Sequence, residues 1–177
     1  KVSPDLLVLE SFTLSENKNF FLITGNEETY IQKILEIIIN QLKKFNYNEV
    51  ERYENLLDSE KVLEGGNVSL FYDKKIIVLK NPKKLEFEKI KNIKIKDRAV
   101  IIIDTKIKNT SKIKKYFDAE KEKISITCYR LSKDNKKKII DQVFKKNSIK
   151  IENDGYWFFL DRSDDRYMLF ENEINKI

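Results

Sequence analysis

Short apolar runs alternate with amphipathic segments along residues 19–130, and this alternation is the feature that most limits the fold of the chain. The runs predicted as strands are 19–24, 48–54, 74–80, 98–105 and 124–130. The segments between them place apolar residues three and four positions apart, as helices that pack on a sheet do. These predicted helices are 26–45, 56–66, 85–93 and 110–121. Continuous apolar strands are typical of sheets that helices cover on both faces. We therefore predict an open α/β fold with a parallel five-stranded sheet flanked by helices.

The pattern changes after the fifth strand. Three helical segments follow without another strand of similar quality, at 132–147, 152–162 and 163–177. Ser132 and Ser163 are the predicted N-caps of the first and the last of them. The apolar residues expected to build a small core here are Tyr156, Trp157, Phe159, Leu160, Leu169, Phe170 and Ile174. The predicted organisation is an α/β domain over 1–131 and a three-helix domain over 132–177.

Composition excludes several kinds of site. The chain has no histidine and a single cysteine, Cys128, so a zinc site of the usual kind and Ser-His or Cys-His catalysis are excluded. A lone cysteine cannot form an internal disulfide, which favours a reducing, cytoplasmic setting. No apolar run has the length needed to cross a bilayer, and the first dozen residues lack the layout of a signal peptide. We expect no membrane partner.

Positive charge is concentrated in one segment. The formal net charge is +6, and residues 130–150 alone hold eight basic and two acidic side chains. Such a segment is either a solvated face or a contact for DNA or for an acidic partner. The candidate contact residues are Lys136, Lys137, Lys138, Lys145 and Lys146. The aromatic residues do not interleave with these lysines in the sequence, which argues against nucleic-acid binding as the main function.

The first strand enters its helix through a glycine, as the strand before a phosphate-binding loop does. That loop requires a second glycine followed by Lys and Ser or Thr. Gly25 matches the first glycine, but Tyr30 and Ile31 stand where the second glycine and the lysine are required. Glu27 and Glu28 would repel phosphate. We predict that this loop holds no triphosphate and that the chain needs no cofactor.

An acidic residue closes the most apolar strand. Asp104 stands where nucleotide hydrolases carry the acid that supports Mg²⁺, but Thr105 follows it where a second acid would be needed. A single aspartate at a strand end also serves as a turn cap, and the sequence leaves both readings open.

The order of these pieces resembles the delta subunit of the bacterial DNA polymerase III clamp loader along nearly the whole chain. The matching stretches are FFLITGNEETYIQKI, VSLFYDKKIIVLKNP, AVIIIDTKIKNTSKIKKYF and DDRYMLFENEINKI. The resemblance implies a RecA-like (AAA+) domain followed by a three-helix lid. It implies a subunit of the polymerase holoenzyme that binds the sliding clamp (beta subunit) and opens the ring for loading on primed DNA. Such a subunit does not hydrolyse ATP itself and works with gamma/tau and delta-prime. A C-terminal collar domain of the family has no counterpart in residues 1–177.

The resemblance also assigns residues. Ser69, Leu70 and Phe71 match the clamp-binding tip, where a Leu-Phe pair enters a hydrophobic pocket of the clamp. The other interpretation of this pair is that it packs beneath the sheet. Arg166 falls where AAA+ lids carry a phosphate-sensing arginine. Without a phosphate opposite, we expect it to form an ion pair with Asp165 or Glu173.

Two other functions remain open from the sequence. One is a nucleic-acid-binding α/β domain that acts through the basic stretch 130–150, which predicts DNA affinity with a steep salt dependence. The other is a nucleotide hydrolase with a divergent loop, which predicts stabilisation by ATP.

Overall fold

A parallel sheet forms the centre of the structure. The computed structural model describes residues 1–57, 62–63, 74–93, 95 and 97–177. Its strands are β1 Phe20–Gly25, β2 Tyr47–Glu54, β3 Lys74–Lys80, β4 Arg98–Ile103 and β5 Lys123–Cys128. They lie in the order β2-β3-β4-β1-β5, and every neighbouring pair is parallel. The predicted parallel five-stranded α/β sheet is confirmed.

Helices flank this sheet and then continue beyond it. In the described part of the chain they are α1 Pro4–Val8, α2 Glu28–Lys43, α3 Phe87–Asn92, α4 Lys112–Ala119, α5 Lys133–Asn147, α6 Asn153–Arg162 and α7 Tyr167–Ile174. The predicted helix 56–66 lies largely outside the described residues. Ser132 caps α5 as predicted, because its hydroxyl oxygen accepts the Asn135 N–H at 3.2 Å.

Alternate residues of β1 enter two different hydrophobic clusters, since side chains of a strand point to opposite faces. Phe21 and Ile23 pack in the cluster that contains residues of α2, α5, α6 and α7. Phe20 and Leu22 pack in the cluster that contains Phe117 of α4. All four side chains are at most 4% exposed. Each such burial stabilises the fold by about 1.5–3 kcal/mol, which explains why the strand has no polar face.

The three last helices cover one face of the sheet. Leu160, Phe170 and Ile174 are buried as predicted, in the same cluster as the residues of α2 and β1. Trp157 and Leu169 were predicted in the core, but they are 46% and 39% exposed. Each short helix turns only one side to the sheet, so its remaining apolar residues lie at the surface. The boundary between residues 131 and 132 stays a prediction.

The prediction that Ser163 caps α7 is wrong, because the residue before α7 is Arg166. It is buried, and its N–H donates to the Phe159 carbonyl at 2.9 Å, which ends α6. Its hydroxyl donates back to the Leu160 carbonyl at 3.2 Å, and its own carbonyl accepts the Lys136 ammonium at 2.9 Å. With these groups engaged, α7 begins only at Tyr167.

A short amino-terminal helix, which the sequence analysis did not assign, packs on the same face. Leu7 of α1 is 1% exposed and joins the cluster of α2 and α5. The Leu9 carbonyl accepts the Gln142 side-chain amide at 2.7 Å, which ties the end of α1 to α5. Pro4 at the first helical position was a signal that could have revealed this helix.

Gly25 is the residue where the sheet tolerates no side chain. Its φ is +121°, and an added Cβ would lie 1.9 Å from the Cys128 carbonyl oxygen. We expect Gly25→Ala to lower the free energy of unfolding in urea by more than about 2 kcal/mol, because both the conformation and the contact are lost.

Gly155 in α6 is the matched control for this substitution. A Cβ there meets only the Ile151 side chain, at 3.2 Å, and alanine is the better helix former. We expect Gly155→Ala to change stability by no more than about 1 kcal/mol. Equal effects of the two substitutions would contradict the close approach of β1 and β5.

Candidate functional site

The loop between β1 and α2 is closed by backbone hydrogen bonds to the neighbouring strand. The N–H groups of Asn26 and Glu27 both donate to the Cys128 carbonyl oxygen, at 3.1 and 3.2 Å. In a phosphate-binding loop, N–H groups at this position of the fold point at the ligand. Here β5 takes them, so Gly25 serves the closure of the sheet edge.

The next N–H groups are taken by a side chain of the loop itself. The Glu27 carboxylate accepts the Tyr30 N–H at 2.6 Å and the Thr29 N–H at 3.4 Å. The Thr29 hydroxyl donates to both carboxylate oxygens at 2.9 Å. Glu27 is therefore the N-cap of α2. A helix amino terminus favours negative charge, and a buried carboxylate supplies it here.

Tyr30 lies under a second tyrosine that comes from α7. The rings of Tyr30 and Tyr167 are stacked, with centroids 4.5 Å apart and planes 4° from parallel, and both residues are 2% exposed. Burial raises the pKa of both hydroxyls above the ordinary tyrosine value, so both stay neutral. Tyr167 donates to Glu171 at 2.9 Å, while the Tyr30 hydroxyl has no hydrogen-bond partner among the described residues.

Two polar contacts join the same pair of helices. The Met168 N–H at the start of α7 donates to the Thr29 hydroxyl oxygen at 3.2 Å. The Lys33 ammonium of α2 lies 2.6 Å from the Glu171 carboxylate. Ile31, which stands where a phosphate-binding lysine is required, is 5% exposed in the core cluster. The loop, α2 and α7 are thus fastened together by their own side chains.

Asp104 follows β4 and acts as a turn cap. Its Oδ1 accepts the Lys106 N–H at 2.8 Å, and its own N–H donates to the Ile23 carbonyl at 3.0 Å. It borders an open cleft of about 410 Å³ at the carboxyl ends of the strands, which Asn81 and Lys83 also line. The geometry agrees with the turn-cap reading of the sequence.

Arg166 pairs with a different acid from those predicted. Its Nε and Nη2 donate to the two oxygens of Asp164, at 3.0 and 2.7 Å. Asp165 instead binds Lys136, at 2.9 Å, and Glu173 accepts the backbone N–H of Asp164. Arg166 directly precedes α7 and has an extended backbone conformation. Its side chain points back along the chain to Asp164, two residues earlier. The guanidinium holds the pKa of the Asp164 carboxyl well below its usual range.

The five candidate lysines of the basic stretch do not share one environment. Lys136 is 4% exposed and donates to the Ser163 carbonyl inside the fold, so it cannot contact a partner at the surface. Lys138 and Lys146 lie 3.8 and 3.6 Å from Asp5 and Glu10 at the α1 side. Lys137 and Lys145 are exposed, and Lys137 lies over the ring of Trp157.

The predicted tip, Ser69, Leu70 and Phe71, lies outside the described residues. Within the described ranges, no group of three or more Cys, Asp or Glu side chains could hold a metal ion. In that same part of the chain, no helix combines the length and apolar character needed to cross a bilayer.

Comparison with solved structures gives two informative likenesses. The chain is similar to the DNA clamp loader delta protein YqeN of Bacillus subtilis, with a TM-score of 0.62 and 14% identity over 97% of this chain. It is also similar to AMPPCP-bound DnaA from Aquifex aeolicus, with a TM-score of 0.51 and 17% identity over 96% of this chain. The fold is RecA-like α/β. The likeness to a clamp-loader delta protein, expected from the sequence, is confirmed for the fold.

The chain spans 54% of the length of the delta protein and 63% of that of DnaA. No protein-family model and no curated protein sequence matches it.

The hydroxyl groups of the two stacked tyrosines can be removed one at a time, and the effect of each on stability can be compared. We expect Tyr167→Phe to lower the free energy of unfolding by about 0.5–3 kcal/mol, because it removes a hydrogen bond to a carboxylate. Tyr30→Phe removes a buried hydroxyl without a described partner, so we expect no loss of stability. Urea unfolding of both variants measures the difference. A larger loss in Tyr30→Phe than in Tyr167→Phe would contradict the geometry.

Proposed function

We propose that this chain is a non-catalytic clamp-loader subunit that binds a sliding clamp and opens the ring for loading on primed DNA during replication. The observation that carries the proposal is the likeness of fold to a clamp-loader delta protein over 97% of the chain. Because one fold can host many functions, the fold alone is not enough. The second support is that the loop before α2 lacks the phosphate-binding residues and has its N–H groups already bonded.

The proposed subunit neither binds nor hydrolyses a nucleotide at this loop. It lacks the glycine, lysine and Ser or Thr of a phosphate-binding motif, and its N–H groups are engaged by Cys128 and Glu27. A phosphate would have to displace a buried carboxylate and would be repelled by it at close range. A partner such as gamma/tau would therefore supply ATP hydrolysis. The chain itself would act by binding.

The proposed clamp contact is the tip formed by Ser69, Leu70 and Phe71. A Leu-Phe pair that leaves water for a hydrophobic pocket contributes roughly 3–6 kcal/mol, since each fully buried side chain gives roughly 1.5–3. This corresponds to about two to four decades of affinity. The remaining partners in this proposal are delta-prime and primed DNA, in a reducing, cytoplasmic compartment. In this proposal residues 1–131 form the α/β part and residues 132–177 form the lid.

Calorimetry with the sliding clamp of the same organism tests the proposal. We expect the wild-type chain to bind, and the Leu70→Ala/Phe71→Ala double variant to lose about two decades of affinity or more. Circular dichroism and urea unfolding establish that the double variant is folded. Leu6→Ala, which truncates an exposed leucine of α1, is the matched control and should bind as the wild type does.

Absence of binding by a folded wild-type chain would contradict the clamp-binding proposal. Binding that survives the double substitution would leave clamp binding in place and overturn the tip as its contact. A double variant that no longer folds would mean that Leu70 and Phe71 belong to the core, which also overturns the tip.

A further inference from the structure

Helix α6 exposes two neighbouring aromatic rings. Trp157 is 46% exposed and Phe158 is 66% exposed, and we refer to this pair as the aromatic platform. The adjacent Leu160 is 1% exposed in the core. Phe158, two positions before Leu160, lies on the other side of the helix, whereas Trp157, three positions before it, lies at the edge of the buried side.

Cations lie against both rings of the platform. The ammonium groups of Lys133 and Lys137 on α5 are each 5.7 Å from the Trp157 ring centroid. The Arg162 guanidinium is 5.4 Å from the Phe158 ring centroid. These distances are within the range of cation–π attraction. Trp157 and the lysines of α5, which are far apart in the sequence, therefore lie together in space, contrary to what the linear pattern suggested.

The indole is held in place before any ligand arrives. The Tyr156 ring meets it edge-on, with centroids 5.4 Å apart at 87°. The Tyr156 hydroxyl donates to Asp141 at 2.6 Å, and its ring also packs edge-on against Phe144. A ring that is fixed in this way loses little conformational entropy when a flat ligand stacks on it.

The charge beside the platform is available to a ligand. In the described part of the chain, neither Lys137 nor Arg162 has a carboxylate within ion-pair distance. Lys133 pairs with Asp161 at 2.6 Å, but both side chains are more than half exposed, and such pairs are weak. Lys138, in contrast, lies 3.8 Å from the buried Asp5 carboxylate.

We propose that the aromatic platform, with Lys137 and Arg162, binds single-stranded nucleic acid. A nucleotide carries a flat base next to a phosphate, and a cation lies over each ring of the platform, where an incoming base would replace it on the ring and leave it next to the phosphate. Stacked bases and neutralised phosphates are the two contacts that sequence-independent single-strand binding uses. Duplex DNA hides its bases from such rings. The inference does not depend on clamp binding, so its failure leaves the proposed function untouched.

Trp157 is the single tryptophan of the chain, so its fluorescence reports on this surface alone. We expect an oligothymidylate of about 16 nucleotides, enough to cover one small binding site, to quench it in a saturable manner at low salt. Phe158→Ala should weaken binding at least about fivefold, because one stacking contact is lost. Lys137→Ala should lower the slope of log affinity against log salt by about 0.7, the value for one phosphate contact on a single strand.

Lys115→Ala is the matched control, since it removes one exposed lysine from α4, which packs on the other face of the sheet. It should leave both the affinity and the salt slope unchanged. No quenching at low salt would overturn the proposal. Equal affinity for a duplex, or wild-type affinity of a folded Phe158→Ala variant, would overturn base stacking and with it the proposal. A change of Trp157 emission only on addition of a clamp-loader protein would assign the platform to a protein interface instead.

Discussion

The junction between β1 and α2 is held by one carbonyl oxygen of the neighbouring strand β5. The Cys128 oxygen at the end of β5 receives the N–H groups of Asn26 and Glu27, and Gly25 approaches it without a side chain. This contact turns the chain from β1 into α2 and leaves no free N–H group at the first two loop positions. Because Cys128 itself is buried, the pKa of its thiol is raised to about 12, and the side chain is inert packing beneath this junction.

The next layer of contacts follows from that turn. Glu27 is directed at the amino terminus of α2, and Tyr30 is directed at Tyr167 of α7. The amino terminus of α2, whose positive potential could attract an anionic ligand, is thus used for contacts within the chain. The three last helices are fixed to the sheet by an aromatic stack, a backbone hydrogen bond to Thr29 and an ion pair with Lys33. These contacts set the geometry of the unit without a nucleotide.

The sheet could be predicted from the sequence because burial on both faces demands unbroken apolar runs, and residues 74–80 were assigned to β3 with the bounds that the structure has. The site was predicted only in outline. The failure of the phosphate motif at Tyr30 and Ile31 was visible, but the partner of Tyr30 lies on a distant helix that no local pattern connects to it. Arg166 and Ser163 were misassigned because local spacing allowed several partners. Trp157 was placed in the core because composition alone does not tell which side of a short helix faces the sheet.

Amide hydrogen exchange at the start of α2, with and without Mg²⁺-ATP, tests the central claim most directly. The claim is that the chain itself satisfies this helix terminus. The account predicts that the Thr29 and Tyr30 amides, together with those of α7, are protected in the absence of nucleotide and that ATP leaves their protection unchanged. Fast exchange at these amides that slows on addition of ATP would contradict it, since the terminus would then be an open site awaiting phosphate.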